Sequence, residues 1–201
     1  MAGKLDGLER VEVDSRAGWR AWLKTHHRRS VGIWLVRWKK SRPDKYMGYD
    51  AIAEEALCFG WIDATARPLD HERSLILVCP RKPRSVWSKV NKQRVERLIA
   101  AKRMTTAGHR VIEAAQANGA WSALDAAEDL VMPAELVRAL AQEPNARKHF
   151  DAFPPSARKY ALMWIGSAKT DATRERRIAE TAERAARNIR PNGAAAPLRR
   201  P

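Results

Sequence analysis

The chain has 201 residues, and 45% of them are hydrophobic, including eight tryptophans, so the composition supports a buried core and excludes a disordered protein. No apolar run approaches the roughly 18–20 residues of a membrane-spanning helix, so membrane insertion is not expected. The formal net charge of +15 favours polyanionic partners such as nucleic acid. The N-terminus carries acidic residues where a secretion signal needs an apolar centre, and we therefore expect a cytoplasmic location.

The charge is distributed in blocks along the chain. Residues 16–42 contribute +9 and contain no acid, residues 43–80 contribute −4, and residues 81–103 contribute +8. Two basic segments therefore flank an acidic middle segment. Such blocks are typical of a solvated surface, but a surplus of this size also favours an anionic ligand.

The first segments alternate between strand and helix patterns. Leu8–Val13 places apolar and polar residues in turn, which predicts a short strand. Ser15 is a good helix N-cap, and Trp19 and Trp22 follow at helical spacing. Val31–Trp38 is β-branched and aromatic on both faces, so we predict a central strand that is buried on two sides.

The next segments predict a helix followed by a hairpin. Tyr49–Phe59 has helical periodicity, and Gly60 is placed to end the helix. Trp61–Ala66 and Ser74–Cys79 then read as two antiparallel strands. We therefore predict one mostly antiparallel sheet with helices packed on one face.

The pattern becomes wholly helical from Ser88 onward. Pro133, Pro144 and Pro155 suit the first turns of three helices, and Thr170 suits the N-cap of a last one. The predicted fold class is α+β, with an α+β domain over residues 1–103, an all-helical region over residues 104–189 and a disordered tail over residues 190–201.

The cysteines and histidines do not indicate a metal site. Cys58 and Cys79 lie in apolar runs, so we predict two buried free thiols. His26 and His27 have no Cys, Asp or Glu three or four residues away, which favours a histidine pair at a helix end. Because no sequence motif for nucleophilic catalysis or phosphate-loop binding is present either, we predict no metal, no cofactor and no catalytic residue.

The segment from residue 81 to residue 92 is the main candidate site. It combines guanidinium groups, a helix start and an aromatic side chain, which together suit phosphate binding. The alternative is a solvated helix face with the tryptophan packed beneath it. The predicted anion-binding residues are Arg81, Lys82, Arg84, Ser85, Trp87, Ser88, Lys89, Asn91 and Lys92.

A second candidate is a polar pocket that includes Glu54, Asp63 and Lys40. In a short antiparallel hairpin, Asp63 and Arg81 are expected to come close together. Three interpretations remain open for this pair: a structural ion pair, a pocket for an anionic ligand, or a catalytic acid or base.

A third candidate is the start of the last helix. Lys169, Arg174, Arg176 and Arg177 lie near an N-terminus, where the helix dipole disfavours cations. The placement suits a bound anion, and the alternative is pairing with neighbouring acids, which are Asp171, Glu175 and Glu180.

Four motifs resemble those of the YdeI/OmpD-associated family, which is also labelled bacteriocin-protection. They are EALCFGWID at 55–63, PRKPRSVWSKVN at 80–91, RMTTAG at 103–108 and WIGSAKTDATRERRIAE at 164–180, within a resemblance that covers about residues 15–187. The N-terminal half is similar to the YjbR/CyaY-like superfamily, which implies a sheet with helices on one side. Some members of that superfamily are described as predicted DNA-binding proteins, and others are frataxin-like iron proteins.

The iron-binding role does not transfer to this chain. Such binding needs an acidic ridge of oxygen ligands, whereas the first helix carries Arg16, Arg20 and Lys24. The family label implies resistance to antimicrobial peptides. We predict a non-catalytic protein that binds nucleic acid or a phosphorylated small molecule through the basic face of residues 81–103. The alternatives are a small-molecule enzyme that uses Glu54, Asp63 and Arg81, or an interaction protein in stress or antimicrobial-peptide resistance.

Overall fold

The computed structural model describes residues 5–191, which divide into two compact units, the first ending at Ser122 and the second beginning at Ala123. The sequence placed this boundary at residue 103. The helix that follows residue 103 belongs to the first unit because the amide and hydroxyl of Thr105 both donate to the carbonyl of Cys58, at 3.1 and 2.6 Å.

The first unit contains a four-stranded sheet and four helices within its described residues. Its elements are β1 (Arg10–Glu12), α1 (Arg16–His26), β2 (Ile33–Trp38), α2 (Tyr49–Cys58), β3 (Trp61–Pro68), β4 (Arg73–Pro80), α3 (Lys89–Ala100) and α4 (Thr106–Ala117). The strand order is β1-β2-β4-β3. The α+β class is confirmed, but the sheet is mixed: β4 pairs antiparallel with both neighbours, whereas β1 pairs parallel with β2. The parallel pair arises because α1 carries the chain back between the two strands.

The core of this unit lies between the sheet and helices α1 and α2. Residues of β2 alternate between two apolar clusters, so this central strand is buried on both faces. The helix-covered cluster includes Trp19, Leu23, Ile33, Leu35, Ile52, Ala56, Ile76 and Val78. The opposite face holds Trp34, Val36, Leu75 and Leu77. The predicted strand began two residues too early, since Val31 is exposed and precedes β2.

The turn between α2 and β3 lies within the motif at residues 55–63 and packs against the motif at residues 103–108. Gly60 has a φ of +76°, which favours glycine. Gly108, at the start of α4, lies so close to this turn that a Cβ atom there would be 2.5 Å from the carbonyl oxygen of Cys58. The glycines therefore allow α4 to pack directly against the end of α2.

Both cysteines are free thiols. Cys58 is buried as predicted, whereas Cys79 is partly exposed because it lies near the end of β4. Burial raises the pKa of both thiols. This favours the protonated and less reactive form of each.

The second unit is helical over its described residues, as predicted. It contains α5 (Asp125–Glu128), α6 (Ala134–Gln142), α7 (Ala146–Ala152), α8 (Pro155–Gly166) and α9 (Asp171–Ala186). Its core includes Leu136, Leu140, Phe150, Phe153, Leu162, Ile165 and Ile178. The predicted tail over residues 190–201 falls almost entirely outside the described residues. No helix within residues 5–191 is long and apolar enough to cross a membrane.

Candidate anion-binding site

The main candidate site lies in the segment that connects β4 to α3. Its first residue is fixed to the sheet, because the Arg81 amide donates to the Gly60 carbonyl at 3.0 Å. Its end is fixed by the Trp87 amide, which donates to the Ala120 carbonyl at 3.3 Å. Ser88 is the N-cap of α3, and its hydroxyl accepts a bond from the Asn91 amide. The two ends of the segment are therefore held while its middle, residues 82–86, follows the surface.

Arg81 is buried, with 6% of its surface exposed. Its guanidinium lies 3.6 Å from the centre of the Trp87 ring, and its Nη2 donates to the Val86 carbonyl at 2.6 Å. Its Nε and Nη1 atoms have no hydrogen-bond partner among the described residues, and neither does Nε1 of Trp87. Three buried donors without an acceptor are thus grouped around one side chain.

The charge of Arg81 is not compensated by a salt bridge with any described residue. Burial lowers its pKa to about 10, and the charge of Asp63 opposes that shift. The side chain is still protonated at neutral pH, since a pKa of about 10 lies well above 7. The site therefore holds a desolvated positive charge, which costs free energy unless a counter-charge is supplied.

The other predicted anion-binding residues have different surroundings. Lys82, Arg84 and Lys89 are exposed, and Ser85 is partly buried. Asn91 accepts a bond from Arg94 at 2.9 Å, so its amide oxygen is engaged within α3. Lys92 lies 5.3 Å from the centre of the Trp121 ring. Only Arg81 and Trp87 of the predicted set form a buried donor cluster.

Asp63 contacts a tyrosine rather than Arg81. Its carboxylate accepts a hydrogen bond from the Tyr49 hydroxyl. Burial, together with this bond, raises the pKa of Tyr49 to about 12. Because no salt bridge joins Asp63 to Arg81 in residues 5–191, the two residues interact only through longer-range electrostatics. The structural ion pair between these two residues is not formed.

The other two residues of the predicted pocket lie elsewhere. Glu54 forms salt bridges with Arg16 at 2.8 Å and with Arg97 at 3.7 Å. Lys40 is exposed and follows β2, whose last residue pairs with Arg73 at one end of β4. Asp63 pairs with Val78 near the other end of β4. The register of the strands therefore separates Lys40 from Asp63.

Sequence reasoning missed Glu55, which has 0% of its surface exposed. Its carboxylate accepts bonds from Nε of Arg16 and Nη1 of Arg20, each at 2.6 Å, and from Nη2 of Arg103. The helical periodicity contained the signal, since Glu55 is three residues after the buried Ile52. A carboxylate on the apolar face of a helix requires cationic partners.

Two of the four cations at the start of α9, Arg174 and Arg177, contact groups other than the predicted neighbouring acids. Arg177 donates to the Trp164 carbonyl near the end of α8 and to the Ser167 hydroxyl. Arg174 forms a salt bridge with Glu135 at 3.7 Å. The carbonyl end of a helix attracts cations, which accounts for the position of Arg177 beside the end of α8.

The predicted histidine pair ends α1. His26 stacks on Trp22 with the ring centres 4.4 Å apart, and its Nδ1 lies 2.8 Å from the Trp22 carbonyl oxygen. Within the part of the chain that the structure describes, no three His, Cys, Asp or Glu side chains come together as a metal site would require.

Two family models match the sequence. Residues 11–111 match a family described as Domain of unknown function (DUF8412), and residues 129–188 match one described as Bacteriocin-protection, YdeI or OmpD-Associated. No curated protein and no solved structure matches the chain. The second match confirms the predicted YdeI/OmpD-associated resemblance in the helical region, whereas the first does not confirm a YjbR/CyaY-like domain. Residues 129–188, in the C-terminal unit, are similar to the family described as Bacteriocin-protection, YdeI or OmpD-Associated. Since the first match covers just over half of the sequence, the chain belongs to the family described as Domain of unknown function (DUF8412).

Proposed function

We propose that this protein binds a small anion, such as a phosphate or carboxylate group, beside the stacked side chains of Arg81 and Trp87. The observation that carries the proposal is the set of three buried donors without acceptors: Nε and Nη1 of Arg81 and Nε1 of Trp87. An anion would accept these bonds and compensate the guanidinium charge at the same time. Charge-assisted hydrogen bonds of this kind are stronger than neutral ones.

A water molecule would satisfy the site less well than an anion. Buried water accepts hydrogen bonds from otherwise unsatisfied polar groups, so it could pair with one or two of the donors. It carries no charge, however, and the buried guanidinium would remain without a counter-ion.

The burial of the donors favours a small ligand over a nucleic-acid backbone. Trp87 has 2% of its surface exposed, so its ring is not available as a platform for stacking bases. The three donor atoms are closed off from solvent. Entry of a ligand therefore requires surrounding residues to move, and we propose that the exposed segment 82–86, which contacts Arg81 through the Val86 carbonyl, opens over the site.

The proposal can be tested by nuclear magnetic resonance with inorganic phosphate and acetate as separate probes. We expect saturable shifts of the Trp87 indole N–H signal, which a Trp87→Phe variant identifies. Arg81→Met should weaken binding about tenfold or more, because a hydrogen bond to a charged group contributes about 1.5–3 kcal/mol. Arg84→Met is the matched control, since Arg84 is exposed in the same segment, and it should weaken binding less than about twofold.

Nucleic-acid binding is the alternative to the small-anion proposal, and charge-reversal variants of the same segment test it. It would depend on exposed cations such as Lys82 and Arg84, and each phosphate contacted would add about 0.9 to the slope of log affinity against log salt. Oligonucleotide binding that Lys82→Glu and Arg84→Glu reduce, but Arg81→Met does not, would contradict the small-anion proposal.

A second candidate function concerns the C-terminal unit, in which residues 129–188 match the family described as Bacteriocin-protection, YdeI or OmpD-Associated. Helices α6 and α9 line an open cleft of about 340 Å³, whose apolar lining is formed by Ala139, Ile178 and Ala179. Three carboxylates and one guanidinium lie at its rim: Glu135, Asp171, Glu175 and Arg174. An apolar cleft with a surplus of negative charge suits a cationic amphipathic peptide.

A synthetic cationic amphipathic peptide is the probe for this second candidate. Glu175→Gln should weaken its binding about threefold, because the variant removes one rim charge. Glu143→Gln, an exposed position outside the cleft, is the control and should have little effect. Equal effects of the two variants would show only a general attraction between opposite charges.

A further inference from the structure

Four arginines surround two adjacent carboxylates of α2 in the first unit. Arg16, Arg20 and Arg103 bind Glu55, and Arg16 and Arg97 bind Glu54. We call these six side chains the arginine cluster. They come from α1, α2, α3 and the loop after α3, so tertiary packing rather than one helix assembles the cluster.

The cluster has a surplus of positive charge that faces solvent. Four guanidinium groups against two carboxylates leave a net charge of +2. The acids lie underneath, with side-chain exposures of 0% for Glu55 and 19% for Glu54. Arg16, Arg20 and Arg103 are exposed at 35%, 35% and 38%. An approaching ligand therefore meets cations first.

Three of the four guanidinium groups are already fixed in position. Glu55 holds three of them, and Nη2 of Arg20 also donates to the Arg103 carbonyl at 2.9 Å. Nη1 of Arg16 and both Nε and Nη1 of Arg103 have no hydrogen-bond partner within residues 5–191. Side-chain ordering is a large part of the cost of binding, and here the fold has met that cost before a ligand arrives.

We infer that the arginine cluster is a second anion-binding site, separate from the Arg81 site, for a dianionic oxyanion such as the phosphate of a phosphomonoester. Two arginines would be enough to neutralise the two carboxylates, and the additional pair raises the repulsion among neighbouring cations. A ligand with two negative charges removes that repulsion. A phosphate group also accepts from guanidinium forks in a bidentate manner.

Isothermal titration with inorganic phosphate tests the inference, at a pH where phosphate is dianionic and with chloride keeping the ionic strength constant. Arg103→Gln should weaken binding at this site about tenfold, because it removes one positive charge and its open donors. Glu54→Gln should tighten binding about threefold, since it raises the net charge of the cluster from +2 to +3. Arg110→Gln makes the same charge change at an exposed position on α4 and should alter affinity less than about twofold.

Glu54→Gln and Arg103→Gln are expected to change phosphate affinity in opposite directions. Comparison with Arg110→Gln then distinguishes a specific site from a general effect of charge. The inference fails if phosphate does not bind, if Glu54→Gln does not tighten binding, or if Arg110→Gln weakens it as much as Arg103→Gln. Arg103→Gln leaves Glu55 paired with two arginines, and its unfolding midpoint checks that it folds. If it does not fold, Arg97→Gln replaces it, because Arg97 is the most exposed member of the cluster. All of these titrations are carried out in an Arg81→Met background, which removes the heat of phosphate binding at the Arg81 site, so the two proposed sites can fail independently.

Discussion

Glu55 and Arg81 are both buried and charged in the same unit, yet their partners differ completely. Glu55 accepts bonds from three arginines. Arg81 donates one hydrogen bond to a carbonyl and stacks on an indole, with no salt bridge among the described residues. A buried charge that has salt-bridge partners within the fold indicates a structural role. A buried charge that has no counter-charge indicates a ligand-binding role.

The largest expected effect is that of Glu55→Gln. This change keeps the shape of the side chain but removes the charge that three guanidinium groups share, so we expect a loss of about 3 kcal/mol in the free energy of unfolding. Urea denaturation measures it. Glu96→Gln, at an exposed position of α3, should change stability by less than about 0.5 kcal/mol. A loss below about 1 kcal/mol for Glu55→Gln would break the comparison, because Glu55 would then not be structural.

Arg81→Met should have a much smaller effect on stability. The variant loses the contact with Trp87 and the bond to Val86, but it also removes a desolvated charge and two unpartnered donor atoms. We expect the free energy of unfolding to change by less than about 1 kcal/mol in the absence of a ligand. Urea denaturation alongside Arg84→Met provides the check. A loss as large as that of Glu55→Gln would mean that Arg81 has a structural role.

Asp63→Asn sharpens the comparison by removing the acid whose charge acts on Arg81. Asp63 is partly exposed and accepts one bond from Tyr49, so the variant should lose about 1 kcal/mol or less. Without this negative charge the anion affinity of the Arg81 site should rise about threefold. Phosphate titration followed at the Trp87 indole measures that change. An unchanged affinity would place Asp63 too far away to influence the ligand.

The smallest effect is on the pH dependence of stability at high pH. The pKa of Arg81 is lowered to about 10 from its usual 12.5, so between these values the unfolded chain binds more protons and stability rises with pH. The pKa of Tyr49 is raised from 10 to about 12, so the folded chain binds more protons there and stability falls with pH. The two contributions oppose each other in nearly the same pH range.

Variants separate these two contributions. Relative to the unchanged chain, Arg81→Met should lose stability more steeply as the pH rises above about 10, and Tyr49→Phe should lose it less steeply. Urea midpoints at a series of pH values measure both slopes. Equal slopes in all three proteins would show that neither group is perturbed by burial.

The fold was largely predictable because its signals are local. The apolar faces of β2 come from alternation along six residues, and the caps of α1, α3 and α9 come from Ser15, Ser88 and Thr170 acting on residues three positions later. The buried position of Glu55 was also present in the helical periodicity. Its partners were not, since Arg16 and Arg103 lie 39 and 48 residues away.

The candidate site was predictable only in part, because burial and side-chain contacts depend on residues that are distant in the sequence. The basic composition of residues 81–92 indicated an anion, but it did not distinguish the exposed Lys82 and Arg84 from the buried Arg81. Likewise, sequence proximity in a hairpin suggested that Asp63 pairs with Arg81, whereas Tyr49 of α2 takes that position.

By itself the sequence determined the helices, the central strand and the presence of a basic segment after the hairpin, because capping, periodicity and charge are read over a few neighbouring residues. The tertiary structure alone decided which charges are compensated. Salt bridges and burial depend on where distant elements of the chain meet. Only the packed fold therefore distinguishes Glu55, whose charge three arginines compensate, from Arg81, whose charge has no counter-charge and whose Nε and Nη1 have no acceptor among the described residues.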